Sequence, residues 1–400
     1  MRHRPVWAAA ALAVAAAVSP ALSAQGAQAP LVHVRAVSVS RTGAPVGNSD
    51  MNGPLLSGDG RTAVYGMSRS LIKGASPYGS IYAYDLASGT TTLVNSTSDG
   101  TPSDQSVDAL YDLSRDGNWV TFSSTNSTNL TPPGPQSNTF LLLKNLRTGQ
   151  LQALRTPPVP GAHGGIAHSV MISQHLSADG RFVVVNTVRN LPDTAEFTFL
   201  LDRSSSTWTL LCGGVSNCTT PGISPDGAVL VVNAQHRNVV YLQDRVTGAQ
   251  RRLTPPNPAA RVNKVMFSGD SRHVVVEWLW TSGSAVLGAD VDVLTATGAV
   301  VRTFTRPGAD VTGVDGTGRY WEVEINRAGT SAPTTPIDVF RYDTRTTELV
   351  QVNTRPGGPV RGIAGGTGIS DDGSRLAFSS DQQLVPGDRR NLTGFVATLH

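Results

Sequence analysis

Seven times along this 400-residue chain a serine, or a residue in its place, is followed two positions later by aspartate or a substitute for it. The copies are Ser57-Gly58-Asp59-Gly60, Ser114-Arg115-Asp116-Gly117, Ser177-Ala178-Asp179-Gly180, Ser224-Pro225-Asp226-Gly227, Ser268-Gly269-Asp270-Ser271, Asp315-Gly316-Thr317-Gly318 and Ser370-Asp371-Asp372-Gly373. A hydroxyl beside a carboxylate invites nucleophilic catalysis, but the context that chemistry needs is missing. A hydrolase serine sits on a Gly-x-Ser-x-Gly elbow. Both Gly222-Ile223-Ser224-Pro225-Asp226 and Gly368-Ile369-Ser370-Asp371-Asp372 lack the final glycine. No catalytic residue is assigned.

Other chemistry fares similarly. His163, His168 and His175 are spaced His-x4-His and His-x6-His, with Gly164-Gly165 among them, and no His-Glu-x-x-His occurs, so no metal set is read. Calcium asks for a compact run of oxygen ligands. Asp50-Met51-Asn52-Gly53, Asp290-Val291-Asp292 and Asp371-Asp372-Gly373 each offer part of one and read as turns or strand edges. No cofactor is expected. A glycoside hydrolase or polysaccharide lyase would gather carboxylates and histidine; Asp108, His175 and Asp310 fall at the starts of inner strands, with no carboxylate pair at a readable spacing. Trp278-Leu279-Trp280 places two indoles on one side of a strand, where packing between elements is the first reading.

The elements that hold these residues explain the seven copies. Each Asp-Gly lies between two short apolar runs, as Phe182-Val183-Val184-Val185 after Asp179-Gly180 shows. Aspartate or serine can bond its own backbone two residues on, and glycine supplies a positive φ, so each copy predicts a hairpin turn. The structural turn residues are therefore Asp59, Gly60, Asp116, Gly117, Asp179, Gly180, Asp226, Gly227, Asp372 and Gly373. A second turn recurs at Asp85-Leu86-Ala87-Ser88-Gly89, Asn145-Leu146-Arg147-Thr148-Gly149, Asp244-Arg245-Val246-Thr247-Gly248 and Asp343-Thr344-Arg345-Thr346-Thr347. Two hairpins per repeat make a four-stranded antiparallel meander, and a repeat of about 50 residues is the length of a propeller blade. The fold class predicted is all-β, a seven-bladed β-propeller.

The Ser-x-Asp-Gly turn, the strand ending in Phe122-Ser123-Ser124 or Phe378-Ser379-Ser380, and the Tyr/Phe-x-x-Asp-x-x-Thr-Gly hairpin resemble the TolB-type, WD-repeat-like propeller repeats of secreted bacterial proteins. The resemblance covers nearly the whole chain after the leader and implies a fold; such repeats serve very different functions. The last copy has room for only three strands, and residues 32–40 read as the fourth, so the N-terminal strand is expected to complete blade seven and leave no open edge. Residues 31–400 are then one domain.

Residues 1–24 carry a basic start, a short apolar run and small residues before a cut, which predicts a signal peptide, with residues 25–30 as a linker and a periplasmic or extracellular destination. No segment is long enough to span a membrane. The charge balance of 32 Lys+Arg against 29 Asp+Glu argues against nucleic acid as partner. Cys212 and Cys218, the only two cysteines, are expected to form a local disulfide in an exported chain. Binding residues concentrate on loops held by a rigid scaffold. On the face opposite the Asp-Gly turns the candidates are Asp50, Asn52, Asp104, Asp108, His168, Arg237, Trp280, Arg327 and Arg361. The functional expectation is an exported, monomeric, non-enzymatic scaffold for a protein or glycan partner; the alternative is a carbohydrate-active enzyme, lyase or glycoside hydrolase, with its site in the channel.

Overall fold

The computed structural model describes residues 31–47, 51–76, 79–105, 107, 109–124, 127, 129–131, 140–154, 169–189, 195–214, 218–234, 239–255, 257–282, 285–305, 309–326, 337–355, 357–359, 364–388 and 391–400. Seven four-stranded antiparallel sheets form the ring. Blades 1 to 6 span residues 52–93, 109–154, 169–214, 218–252, 261–305 and 309–351, each running in sequence order from its inner strand to its outer one. Blade 7 takes three strands from residues 364–399 and its outermost, Val32–Ala36, from the other end of the chain, paired from Val32↔Leu399 to Ala36↔Phe395. The closing ladder is shorter than the predicted 32–40. Past it Val37 N–H still donates to Gly394 O at 2.8 Å, and Val39 then turns away to pair with Pro45.

The turns show why serine, aspartate and glycine recur. In the six copies that carry both, the serine hydroxyl donates to the aspartate carboxylate at 2.6 to 2.7 Å. It also accepts the N–H of the residue five positions on, which starts the second strand, at 2.8 to 3.0 Å. In blade 6 the partners are swapped, and the Thr317 hydroxyl donates to the Asp315 carboxylate at 3.0 Å. Ser271 takes the left-handed conformation of the missing glycine, with φ 60°. Where glycine is kept, a second reason is visible: a Cβ on Gly180 would lie 2.6 Å from the Trp119 ring of the preceding blade, and Gly227 and Gly373 press in the same way on Phe182 and Tyr320.

Apolar second and third strands fill the spaces between blades. Val183, Val184, Val185, Val274, Val275 and Val276 are fully buried, and at the closure Phe378 stacks on Phe395 with centroids 5.6 Å apart. All seven inner strands contain a bulge, between Asn52/Leu55, Leu110/Asp112, Met171/Ser173, Thr219/Gly222, Val262/Lys264, Val311/Gly313 and Gly366/Gly368. A bulge leaves backbone groups outside the ladder and bends the strand, which is what frees N–H groups for the neighbouring blade.

Replacing Ser177 by alanine leaves the Phe182 N–H without its acceptor and takes one of two hydrogen bonds from the Asp179 carboxylate, which keeps the Arg181 N–H. Denaturant unfolding is expected to show a loss of about 1–3 kcal/mol, whereas a catalytic serine would be lost at little cost to stability.

Candidate functional site in the central channel

The residue after each serine position faces the axis, and these seven positions form a closed belt. Gly58 N–H donates to Arg115 O, Asp116 N–H to Ala178 O, and Ala178 N–H to Pro225 O, at 2.7 to 2.9 Å. Proline has no N–H to continue the pattern, so Asp226 N–H donates to the Ser271 hydroxyl at 3.0 Å. Gly269 N–H then donates to Asp315 O, Gly316 N–H to Asp371 O, and Asp371 N–H to Gly58 O, at 2.6 to 3.1 Å. Every blade is tied to the next at this end.

Two members of the belt have long side chains, and they meet. Arg115 of blade 2 donates through Nε to the Asp371 carboxylate of blade 7 and through Nη2 to Val314 O of blade 6 at 3.2 Å. The pair occupies the space that side chains on the facing members would need, since a Cβ on Gly58 or Gly269 would collide with both Arg115 and Asp371. The turn end of the channel is thereby plugged.

Behind the plug lies a cavity of about 280 Å³, walled largely by the residues two positions before each serine site: Leu55, Asp112, His175, Gly222, Met266, Gly313 and Gly368. Asp112 accepts from Leu113 N–H and, across the blade gap, from Leu176 N–H, both at 2.8 Å. Enclosure pushes its carboxyl up to about 7 against those two hydrogen bonds. Burial pulls His175 down to about 4, so the imidazole is neutral at pH 7.

Among the inner and second strands of blades 5 to 7 lies a denser cluster. Lys264 Nζ donates to Asp310 Oδ1 at 2.7 Å and to Val311 O at 3.0 Å. Glu277, fully buried beside them, accepts from Asn263 Nδ2 at 2.9 Å and from Val311 N–H at 3.2 Å. Burial first, then the Asp310 charge, raises its carboxyl. Glu324 accepts from Gly366 N–H at 2.7 Å, and burial followed by Asp310 pushes it up to about 7. Glu322 accepts from Gly368 N–H at 2.7 Å and from the Thr312 hydroxyl at 3.0 Å; buried with its Oε1 unpartnered, it is held well above the usual carboxylate range. Among the described residues no three His, Cys, Asp or Glu side chains come together as metal ligands.

Three of the sequence-predicted candidates, Asn52, Asp104 and Trp280, lie among the described residues. Asn52 opens the first inner strand and is exposed. Asp104 is tied down, its carboxylate accepting from the Ser127 hydroxyl at 2.8 Å. Trp280 lies in the strand His273–Ser282, paired with Gly288, while Trp278 is buried and donates through Nε1 to Asp292 at 2.9 Å. Asp50, Asp108, His168, Arg237, Arg327 and Arg361 lie outside the described residues. Cys212 is disulfide-bonded, and the chain has one other cysteine, Cys218. Sequence reading named Asp310 and His175 but missed Lys264, Glu277, Glu322, Glu324, Arg115 and Asp371. For the plug a signal existed: at the position after the serine site, five copies have glycine, alanine or proline, one has arginine and one aspartate.

The chain is a seven-bladed β-propeller closed by its N-terminal strand, with the Arg115–Asp371 pair set across the turn end of its channel. No protein-family model matches it, and no curated protein matches it in sequence. Among solved structures it is similar to an oligogalacturonate lyase in complex with manganese, at 12% identity and TM-score 0.59 over 93% of this chain and 97% of that one. It is equally similar to oligogalacturonate lyase from Vibrio parahaemolyticus, at 8% identity, TM-score 0.59 and the same coverage. TolB from Acinetobacter baumannii aligns at 13% identity and TM-score 0.44 over 78% of this chain and 65% of that one. At these identities the likeness is one of fold.

Two outcomes follow. Gly269→Ala pushes a methyl into the plug, so it and Arg115→Ala should be less than additive in a double-mutant stability cycle, because the Arg115 part of the clash disappears with the arginine and Asp371 loses the partner that holds it there. Glu324 binds its proton more tightly folded than unfolded, so its contribution to stability is full below about 4.5 and gone above about 7. Glu324→Gln removes that slope. Relative to wild type the variant should gain about 1–3 kcal/mol between pH 5 and pH 8, read by chemical unfolding at each pH.

Proposed function

We propose that this protein is an exported, non-enzymatic binding module whose ligand enters the central channel from the face opposite the Asp-Gly turns. The observation that carries this reading is the Arg115–Asp371 pair, which obstructs the turn end of the channel and so favours entry from the other face. The turn serines are occupied by their aspartates and by backbone N–H groups, so they support the fold and not a reaction. Export rests on the leader-like residues 1–24.

The channel wall also bears on the ligand. Asp310 and Glu324 outnumber Lys264, whose ammonium is already paired with Asp310. A polyuronate would meet net negative potential there, which weighs against the lyase alternative; a neutral glycan or a cationic group suits the wall better. Calorimetry with neutral oligosaccharides, spermidine and oligogalacturonate distinguishes the classes. Binding of a neutral or cationic probe, weakened about tenfold by Asp310→Asn, is expected. Steady release of unsaturated uronate from oligogalacturonate by the wild-type chain would overturn the reading.

A further inference from the structure

A second concavity lies away from the channel, on the outer rim of blade 1. It measures about 680 Å³, inside the roughly 300–1,000 Å³ range of ligand pockets. Its floor is the edge strand Thr91–Leu93. Two matching tongues wall it. In the connection from blade 7, Ser40 N–H donates to Ala44 O and Gly43 N–H to Ser40 O; in the connection to blade 2, Thr97 N–H donates to Thr101 O and Gly100 N–H to Thr97 O, all at 2.8 to 3.0 Å. Each tongue is pinned at its base by one bridge, Val39↔Pro45 and Ser96↔Pro102.

The floor presents backbone, not only side chains. Asp85 N–H donates to Thr90 O and Val94 N–H to Ile81 O. Antiparallel pairs alternate between bonded and non-bonded, so Ala83↔Thr92 is the bonded pair between these two, and the N–H and C=O groups of Thr91 and Leu93 point outward into the groove, where the Leu93 C=O accepts a long hydrogen bond of 3.4 Å from the Ser96 hydroxyl. No further strand pairs with this edge. Arg41, on the first tongue, and Lys73, in the loop after the second strand of blade 1, are both exposed and line the groove, and no carboxylate side chain lines it. Among the described residues neither cation has an ion-pair partner.

We propose that this groove docks an extended, acidic segment of a partner protein, added to blade 1 as a fifth strand. Main-chain pairing with Thr91 and Leu93 supplies the bonds, the tongues limit the length, and Arg41 and Lys73 select the charge. The site is separate from the channel and stands whether or not the channel binds a ligand.

Hydrogen exchange on the full chain tests it with two octapeptides of alternating sequence, one Thr-Glu and one Thr-Lys. The glutamate peptide should slow exchange at the Thr91 and Leu93 amides, and Lys73→Glu or Arg41→Glu should weaken its binding about tenfold. Thr91→Pro should abolish protection while leaving the blade intact, because proline is tolerated on an edge strand where the N–H faces outward. If that variant fails to fold, the charge reversals decide alone. No slowing at these two amides, equal protection by the lysine peptide, or unchanged binding in Lys73→Glu would each overturn the proposal.

Discussion

The belt of hydrogen bonds around the turn end of the channel is the constraint from which the rest of the architecture follows. Seven inner strands converge on one axis, and the residue after each serine site must give its peptide group to the neighbouring blade. That crowding restricts the side chains that fit. Gly58, Gly269 and Gly316 yield the central space, and Arg115 and Asp371 fill it. Where the backbone cannot donate, at Pro225, a side-chain hydroxyl from the next blade completes the circuit.

The same logic reaches deeper into the channel. Bulges in the inner strands release N–H groups from the ladders, and carboxylates of the preceding blade take several of them: Asp112 at Leu176, Glu277 at Val311, Glu324 at Gly366 and Glu322 at Gly368. These groups hold blades together at a cost. Enclosure raises all four, so they act partly as protonated acids, and their density on blades 5 to 7 makes that side of the funnel the polar one. Of these four ties only Asp112 also lines the channel cavity, whereas Glu277 and Glu322 are fully buried between blades.

The ends of the chain add an asymmetry that the repeats alone lack. Because blade 7 is completed by Val32–Ala36, the connection to blade 1 carries a tongue like the one that follows blade 1, and the edge between them becomes a walled groove. A ring of nominally equivalent blades thus offers two distinct concave surfaces, one on the axis and one on the rim.

The sequence by itself determined the local structure. Ser-x-Asp-Gly is a complete hydrogen-bonding unit within six residues, so the turns, the number of blades, the four strands in each and the closing strand could all be read from spacing and apolar alternation. Loop exposure was legible too, but not occupancy: Asp104 reads as a free loop carboxylate and is instead bound by Ser127. Only the tertiary structure decided which residues meet. Arg115 and Asp371 are 256 positions apart and Lys264 and Asp310 are 46 apart, and each pair is joined by ring closure and blade packing, not by any local periodicity. The bulges shift register by one residue in each inner strand, so which side chain faces the axis could not be counted from the turn. Short-range hydrogen bonds are written in adjacent residues; the channel and the rim groove arise from distances that exist only once the ring is shut.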